Sequence, residues 1–252
     1  MNKWKESELV RSLVGFFLLF LLFIGLFIFV VPSTHQSSKI AEKIKSIKNE
    51  KVTYVAIGDS LTQGVGDSSN QGGFVPVLSQ ALESDFDWQV TSRNYGIAGN
   101  TSNQILKRVQ EKKDIQRDLK KAKVMTLTVG GNDVIHVIKD NITNLNVDTF
   151  TKPAQAYQKR LGQIIELARK DNKTLPIYIV GIYNPFYLNF PEMTEMQTIV
   201  DNWNQSTEEV CKKYDNVYFV PVNDLLYKGI DGKGGVTSSD DTSQSSNSSQ
   251  GS

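Results

Sequence analysis

Three glycine-rich polar turns hold the residues best suited to chemistry: IGDSLTQGVG at 57–66, NYGIAGNTS at 94–102 and VGGND at 129–133. Ser60, after Gly58 and Asp59, is a hydroxyl lifted out of a tight turn. Such a serine can attack an acyl carbon when a base takes its proton. Gly99 has no side chain to obstruct an approaching group. Asn132 is an amide donor on a strand-ending turn. A single donor aimed at a developing oxyanion is worth roughly 10²–10³ in rate. Each residue also has a plainer reading. Ser60 or Asp59 can cap a helix, Gly99 can satisfy a left-handed turn, and Asn132 or Asp133 can cap the helix that follows. Three such turns in order, each closing a predicted strand, favour a shared site.

A serine nucleophile needs a general base, and the chain has two histidines, His35 and His136. Asp133-Val134-Ile135-His136 matches Asp-x-x-His as a string. His136 would sit about one helical turn past Asn132 among apolar neighbours, so a packed or peripheral histidine is expected. His35 lies beside a long apolar segment, far from the turns in sequence. Cys211 is the one cysteine. It excludes an intrachain disulfide and a multi-cysteine metal site, and it reads as a buried small hydrophobe.

The elements that must position these turns alternate. Val52–Ile57 is a β-branched apolar run and a first strand. Residues 74–86 have helical apolar spacing. Residues 88–95 form a second strand, and 104–122 one or two helices. Val124–Val129 is a third strand and 151–171 a helix. Residues 176–182, 192–214 and 217–222 read as strand, long helix and short strand. This alternation predicts a mainly parallel five-stranded sheet in a three-layer α/β/α sandwich. In such sheets chemistry gathers at the carboxyl ends of the strands, where the three turns fall.

Together the turns resemble the first three sequence blocks of the SGNH (GDSL) lipase/esterase family. Gly58-Asp59-Ser60-Leu61 matches the nucleophile block, Gly99 the glycine of the second, and Gly131-Asn132-Asp133 the third. The likeness covers about 52–222. It implies a flavodoxin-like SGNH hydrolase fold and a serine ester hydrolase. It also implies an oxyanion hole from the Ser60 N–H, the Gly99 N–H and the Asn132 side-chain amide. No metal or organic cofactor is implied. The family's acid and base come on an Asp-x-x-His block after the last strand, and no histidine follows Val222 in these residues. The expectation is that the Ser-rich 238–252 stretch precedes a final block lost by truncation. The competing expectation is an inactive, membrane-tethered relative that binds envelope glycans or a partner protein. A flavodoxin-like nucleotide binder is disfavoured, because the first turn lacks a G-x-G-x-x-G phosphate loop.

Residues 12–31 are uncharged and apolar, SLVGFFLLFLLFIGLFIFVV. About 20 residues suffice to cross a bilayer, and no small-x-small cleavage site follows. The expected organisation is a cytoplasmic tail at 1–11, a transmembrane signal anchor at 12–31 and a stalk at 32–50. A hydrolase-like domain at 51–230 and a disordered tail at 231–252 follow. Lysines and arginines flank both ends of the span, so charge hardly sets orientation. A short tail before a long domain fits a domain on the extracellular face. Net charge is +1, which leaves no electrostatic footprint for nucleic acid. Expected partners are an ester-containing lipid or cell-envelope substrate and the membrane. The aromatic run Tyr183-Asn184-Pro185-Phe186-Tyr187-Leu188-Asn189-Phe190 can line an acyl pocket or pack on the sheet edge.

Overall fold

Val52–Ile57 alternates too little to leave either side of a strand in water, and β1 (Glu50–Gly58) is indeed buried from Tyr54 onward. The computed structural model describes residues 49–228, except 142, 144, 145, 186, 188–191 and 193. The expected tail, membrane anchor, nearly all of the stalk and the Ser-rich terminus lie outside the described residues. Among the described residues no helix is long and apolar enough to cross a membrane. Contacts group the chain into one unit ending at Glu50 and another from Lys51 onward. The sheet and its helices belong to the second.

The elements after β1 are α1 (Ser60–Gln63), α2 (Phe74–Phe86), β2 (Trp88–Gly96), α3 (Ser102–Glu111), α4 (Lys113–Lys121) and β3 (Ala122–Thr128). Then come α5 (Gly131–Asp140), a 3-10 turn (Val147–Phe150), α6 (Thr151–Ala168), β4 (Ile177–Val180), α7 (Thr194–Cys211), β5 (Val217–Val220) and α8 (Asn223–Lys228). The strand order is β2-β1-β3-β4-β5, and β1, β3, β4 and β5 pair in parallel. The chain leaves β1 toward β2 and then crosses to β3 on the other side. The order therefore reverses at β1/β3, where doubly wound sheets open a crevice for ligands.

Strand registers sort the side chains by face. Val55, Ile57, Met125, Leu127, Ile177 and Ile179 belong to the larger core. Ile105, Val109, Ile115 and Leu119 of α3–α4, and Leu161, Ile164, Trp203 and Val210 of α6–α7, join the same core. The opposite face is smaller: Tyr54, Ala56 and Val124 pack with Val75, Phe74, Leu78 and Leu82 of α2. Tyr54 is pushed up to about 12 by burial, and its hydroxyl shares a 2.7 Å hydrogen bond with Thr126. Register places Tyr178 and Tyr218 on that second face. They stack at 5.0 Å and remain 37% and 45% exposed. Among the described residues the second layer thus rests on α2, over the β1 end of the sheet. The 104–122 region resolves into two helices because Lys112 is extended (φ −87°, ψ 109°) and breaks the ladder.

Candidate active site

Gly58 ends β1 where no side chain fits. A Cβ there would lie 2.1 Å from the Thr128 hydroxyl and 2.7 Å from the Thr128 carbonyl. This close approach brings the ends of β1 and β3 together. Asp59 then caps α1: its Oδ1 accepts from the Leu61 N–H at 3.1 Å and from the Thr128 hydroxyl at 2.8 Å. The Asp59 N–H donates back to Thr128 Oγ1 at 3.2 Å, and Thr62 Oγ1 lies 2.8 Å from the same oxygen. Burial raises the Asp59 pKa, and the Thr128 hydroxyl opposes the shift. Asp59 is therefore both cap and turn holder. Ser60 sits on the first residue of α1, half-buried, and its N–H falls among the helix-start donors that have no partner within the helix. Gly64, at φ 89°, ends α1 in the left-handed region.

The loop that follows is closed by a residue the sequence reading passed over. Asp67 Oδ2 accepts from the N–H groups of Gln71, Gly72 and Gly73 at 2.9, 3.0 and 3.0 Å. Its Oδ1 accepts from the Ser69 N–H. The Ser69 hydroxyl and these amides hold the Asp67 carboxyl well below the usual carboxylate range.

The second turn is fastened to the first. At Gly96 a Cβ would meet the Gln63 nitrogen at 2.1 Å, so β2 runs hard against α1. The Asn94 amide donates to the Thr62 carbonyl at 2.7 Å, and the Ala98 N–H donates to Gln63 Oε1 at 2.6 Å. The Ile97 N–H donates to the Gly58 carbonyl at 3.0 Å. Gly99 occupies the third position of a turn closed by Asn100 N–H to Ile97 O at 3.2 Å, with φ 78°. It is exposed, and a Cβ on it would touch nothing within 4 Å. Its conformation asks for glycine and its surroundings stay open.

The third turn is fastened to the second. Asn132 Nδ2 donates to the Asn100 carbonyl at 3.0 Å, which engages one of its two hydrogens. The plainer reading of Asn132 or Asp133 is a cap on α5. The N-cap is instead Gly130, which makes no side-chain cap bond, and the Asp133 carboxylate turns the other way. It accepts from the Ser102 N–H at 2.8 Å, from the Ser102 hydroxyl, and from Arg160 at 3.2 Å. Arg160 also donates to the Ser102 hydroxyl at 2.6 Å. An acid after a strand commonly caps, but here the partly exposed Arg160 of α6 and the start of α3 compete for it. Thr128, Ser102 and Arg160 were not legible as site supports. Polar residues at 0–1% exposure, such as Ser102 and Thr128, are recognisable only once burial is known.

The Asp133/His136 string does not form an acid–base pair. His136 is exposed, and its Nδ1 lies 2.8 Å from the Asn132 carbonyl of its own helix. Cys211 is buried, and burial pushes its thiol up to about 11. Among the described residues no group of three or more His, Cys, Asp or Glu could hold a metal ion.

A cavity of about 200 Å³ opens beside these turns. Ser60 and Asn132 lie on it with Val129, Val134, Ile138, Ile182, Met196 and Val200. Of the aromatic run after β4, Tyr183 and Pro185 line the cavity, while Tyr187 is 38% exposed. Residues 186 and 188–190 are outside the described residues.

A family model described as "GDSL-like Lipase/Acylhydrolase family" matches residues 56–241. The chain is 32% identical over 201 residues to the uncharacterized protein YpmR of Bacillus subtilis, covering 79% of this chain and 78% of that protein. It is 30% identical over 183 residues to the spore germination lipase LipC of Bacillus licheniformis, covering 70% and 82%. The fold is similar to that of the lipase Lip_vut3 from a goat rumen metagenome, with TM-score 0.62 and 22% identity over 72% of this chain and 88% of that one.

Proposed function

This chain belongs to the GDSL-like lipase/acylhydrolase family and is a carboxylic ester hydrolase by fold and family; from that premise we propose that Ser60 is its nucleophile. A base takes the Ser60 proton, and Oγ attacks the ester carbonyl carbon. The carbonyl electrons move onto oxygen. The Ser60 N–H, the Gly99 N–H and the second hydrogen of the Asn132 amide receive that charge. The base passes its proton to the leaving oxygen as collapse expels the alcohol and leaves an acyl-serine. Water, deprotonated by the same base, then attacks the acyl carbon, and collapse releases the acid and returns the proton to Ser60 Oγ. The observation that carries this reading is the chain of fastenings between turns. Ala98 is bonded to Gln63 and Asn132 to Asn100, so three loops from separate strands converge around one serine beside a cavity. Preorganised donors of this kind are a large part of acyl-transfer catalysis.

The base is not among the residues after β5, and His136 bonds its own helix. An Asp-x-x-His segment following residue 252 would supply it in the family's manner. Free imidazole can stand in for it. In the reading, a serine-directed fluorophosphonate labels Ser60 of this chain slowly, at a rate that rises in proportion to added imidazole. Ser60→Ala takes no label. Mapping the adduct by peptide mass spectrometry checks this, and a chain that stays unlabelled at Ser60 in high imidazole refutes the nucleophile. That negative result is what the second reading expects: a tethered, inactive domain that binds envelope glycans or a partner protein.

Residues 12–31 tether the domain to the membrane, with the domain on the extracellular face. Their length and lack of charge support the span, and the short tail before a long domain supports the extracellular side. The full chain is expected in the membrane fraction after an alkaline carbonate wash, and a chain starting at Lys51 in the soluble fraction. Release of the full chain by the wash removes the tether. The substrates that fit such a position are ester-containing lipids or cell-envelope esters.

A further inference from the structure

The cavity beside Ser60 distinguishes the two halves of an ester. Its walls are Val129, Val134, Ile138, Ile182, Met196 and Val200. Among the described residues Asp59 is the one charged residue on it, and that carboxylate already accepts from Leu61 and Thr128. Among the described residues no cationic side chain lines it to meet a phosphate or a sugar acid. Thr128 on the cavity is bonded to Asp59 and Thr62, and Tyr183 adds one phenol. Ser60 and Asn132 mark where the carbonyl sits, so the mainly apolar remainder takes what is attached to the carbonyl carbon. Engineered aliphatic cavities of about 150 Å³ hold benzene, six carbons. A space of about 200 Å³ on that scale takes about eight.

We propose that this cavity is an acyl-chain pocket for linear acyl groups of about six to eight carbons. The chain would then be a hydrolase of medium-chain acyl esters rather than a deacetylase of glycans. The proposal rests on Ser60 as the nucleophile. An acetyl group would leave most of the apolar space to water that finds few hydrogen-bond partners there. Each methylene buried adds roughly fourfold in binding, until the pocket is full. A longer chain must pass Ile135, which lies on the cavity and is 40% exposed, and run into solvent. Its extra carbons then add little. Ile138, Met196 and Val200 set the limit, because they line the space from two separate helices, α5 and α7.

Methyl n-alkyl ketones of 4–14 carbons imitate the ester carbonyl without reacting. Their dissociation constants, measured by calorimetry on this chain and on Ser60→Ala, test the pocket apart from the nucleophile. Affinity is expected to rise roughly fourfold per methylene and to level off at an acyl length of about eight carbons. Val200→Phe and Ile138→Phe, each checked for a native melting curve, are expected to move the break to shorter chains. Imidazole-supported acylation by p-nitrophenyl esters should break at the same length. A flat series, a rise continuing to 14 carbons, or an unmoved break in both folded variants overturns the pocket. Ketone binding with the expected break, but no acylation of Ser60, leaves the pocket standing and removes the nucleophile instead.

Discussion

Asn132→Ala is expected to slow imidazole-supported acylation of Ser60 by roughly 10²–10³-fold, about 3–4 kcal/mol of transition-state stabilisation. The amide has two hydrogens, and one holds the Asn100 carbonyl at 3.0 Å. The other is available where the ester oxygen gains charge. An interaction made only in the transition state lowers the rate at saturation and leaves ground-state binding nearly unchanged. The variant should therefore bind alkyl ketones as the native chain does. Its melting temperature should fall only slightly, since a single neutral hydrogen bond is worth about 1 kcal/mol. Stopped-flow acylation with a p-nitrophenyl ester, run beside ketone calorimetry, separates the two. Equal losses in both would mean that Asn132 acts by holding the Asn100 loop alone.

Asp133→Ala is expected to destabilise the fold by about 3 kcal/mol. The carboxylate is 7% exposed and joins three chain segments: α5, the first residue of α3 and Arg160 of α6. Removing one member of a buried pair leaves the other charge without compensation, at roughly 3–5 kcal/mol. The Arg160 side chain retains 26% exposure, which places the cost at the lower end. Removing both charges should hurt less than the sum, so Asp133→Leu combined with Arg160→Met is the informative double variant. Urea denaturation measures both. A loss below about 1 kcal/mol for Asp133→Ala would show that Ser102 and Arg160 find other partners. The same latch joins the second and third turns. Surviving Asp133→Ala molecules should also acylate more slowly, as Gly99 and Asn132 drift apart.

Much of the molecule was legible because the relevant signals are local. Val52–Ile57 reads as a strand from its own composition, and Leu161, Ile164 and Ile165 reveal one helix face by their spacing. The alternation of such segments implies a parallel sheet, because parallel neighbours need crossovers that helices supply. Boundaries moved by a few residues where competition is tertiary. The helix expected at 192–214 is described as Thr194–Cys211, and the strand expected at 176–182 as Ile177–Val180. A strand ends where its neighbour stops pairing, which no single segment encodes.

The site divides along the same line. Sequence alone determined that three glycine-rich turns follow three strands, that a serine, a glycine and an asparagine stand on them, and that residues 223–252 hold no histidine. Residue type and order suffice for those statements. Tertiary structure decided what Asp133 does, because a guanidinium from α6 and the first residue of α3 compete with a helix N-terminus for a buried carboxylate. It decided that Thr128 joins Asp59 and Thr62 across the β1/β3 seam, because Gly58 lets two strands approach where any Cβ would collide. It also decided the space beside Ser60, whose walls come from residues between Val129 and Val200. Volume is a property of how separate elements pack, and no stretch of the chain carries it alone.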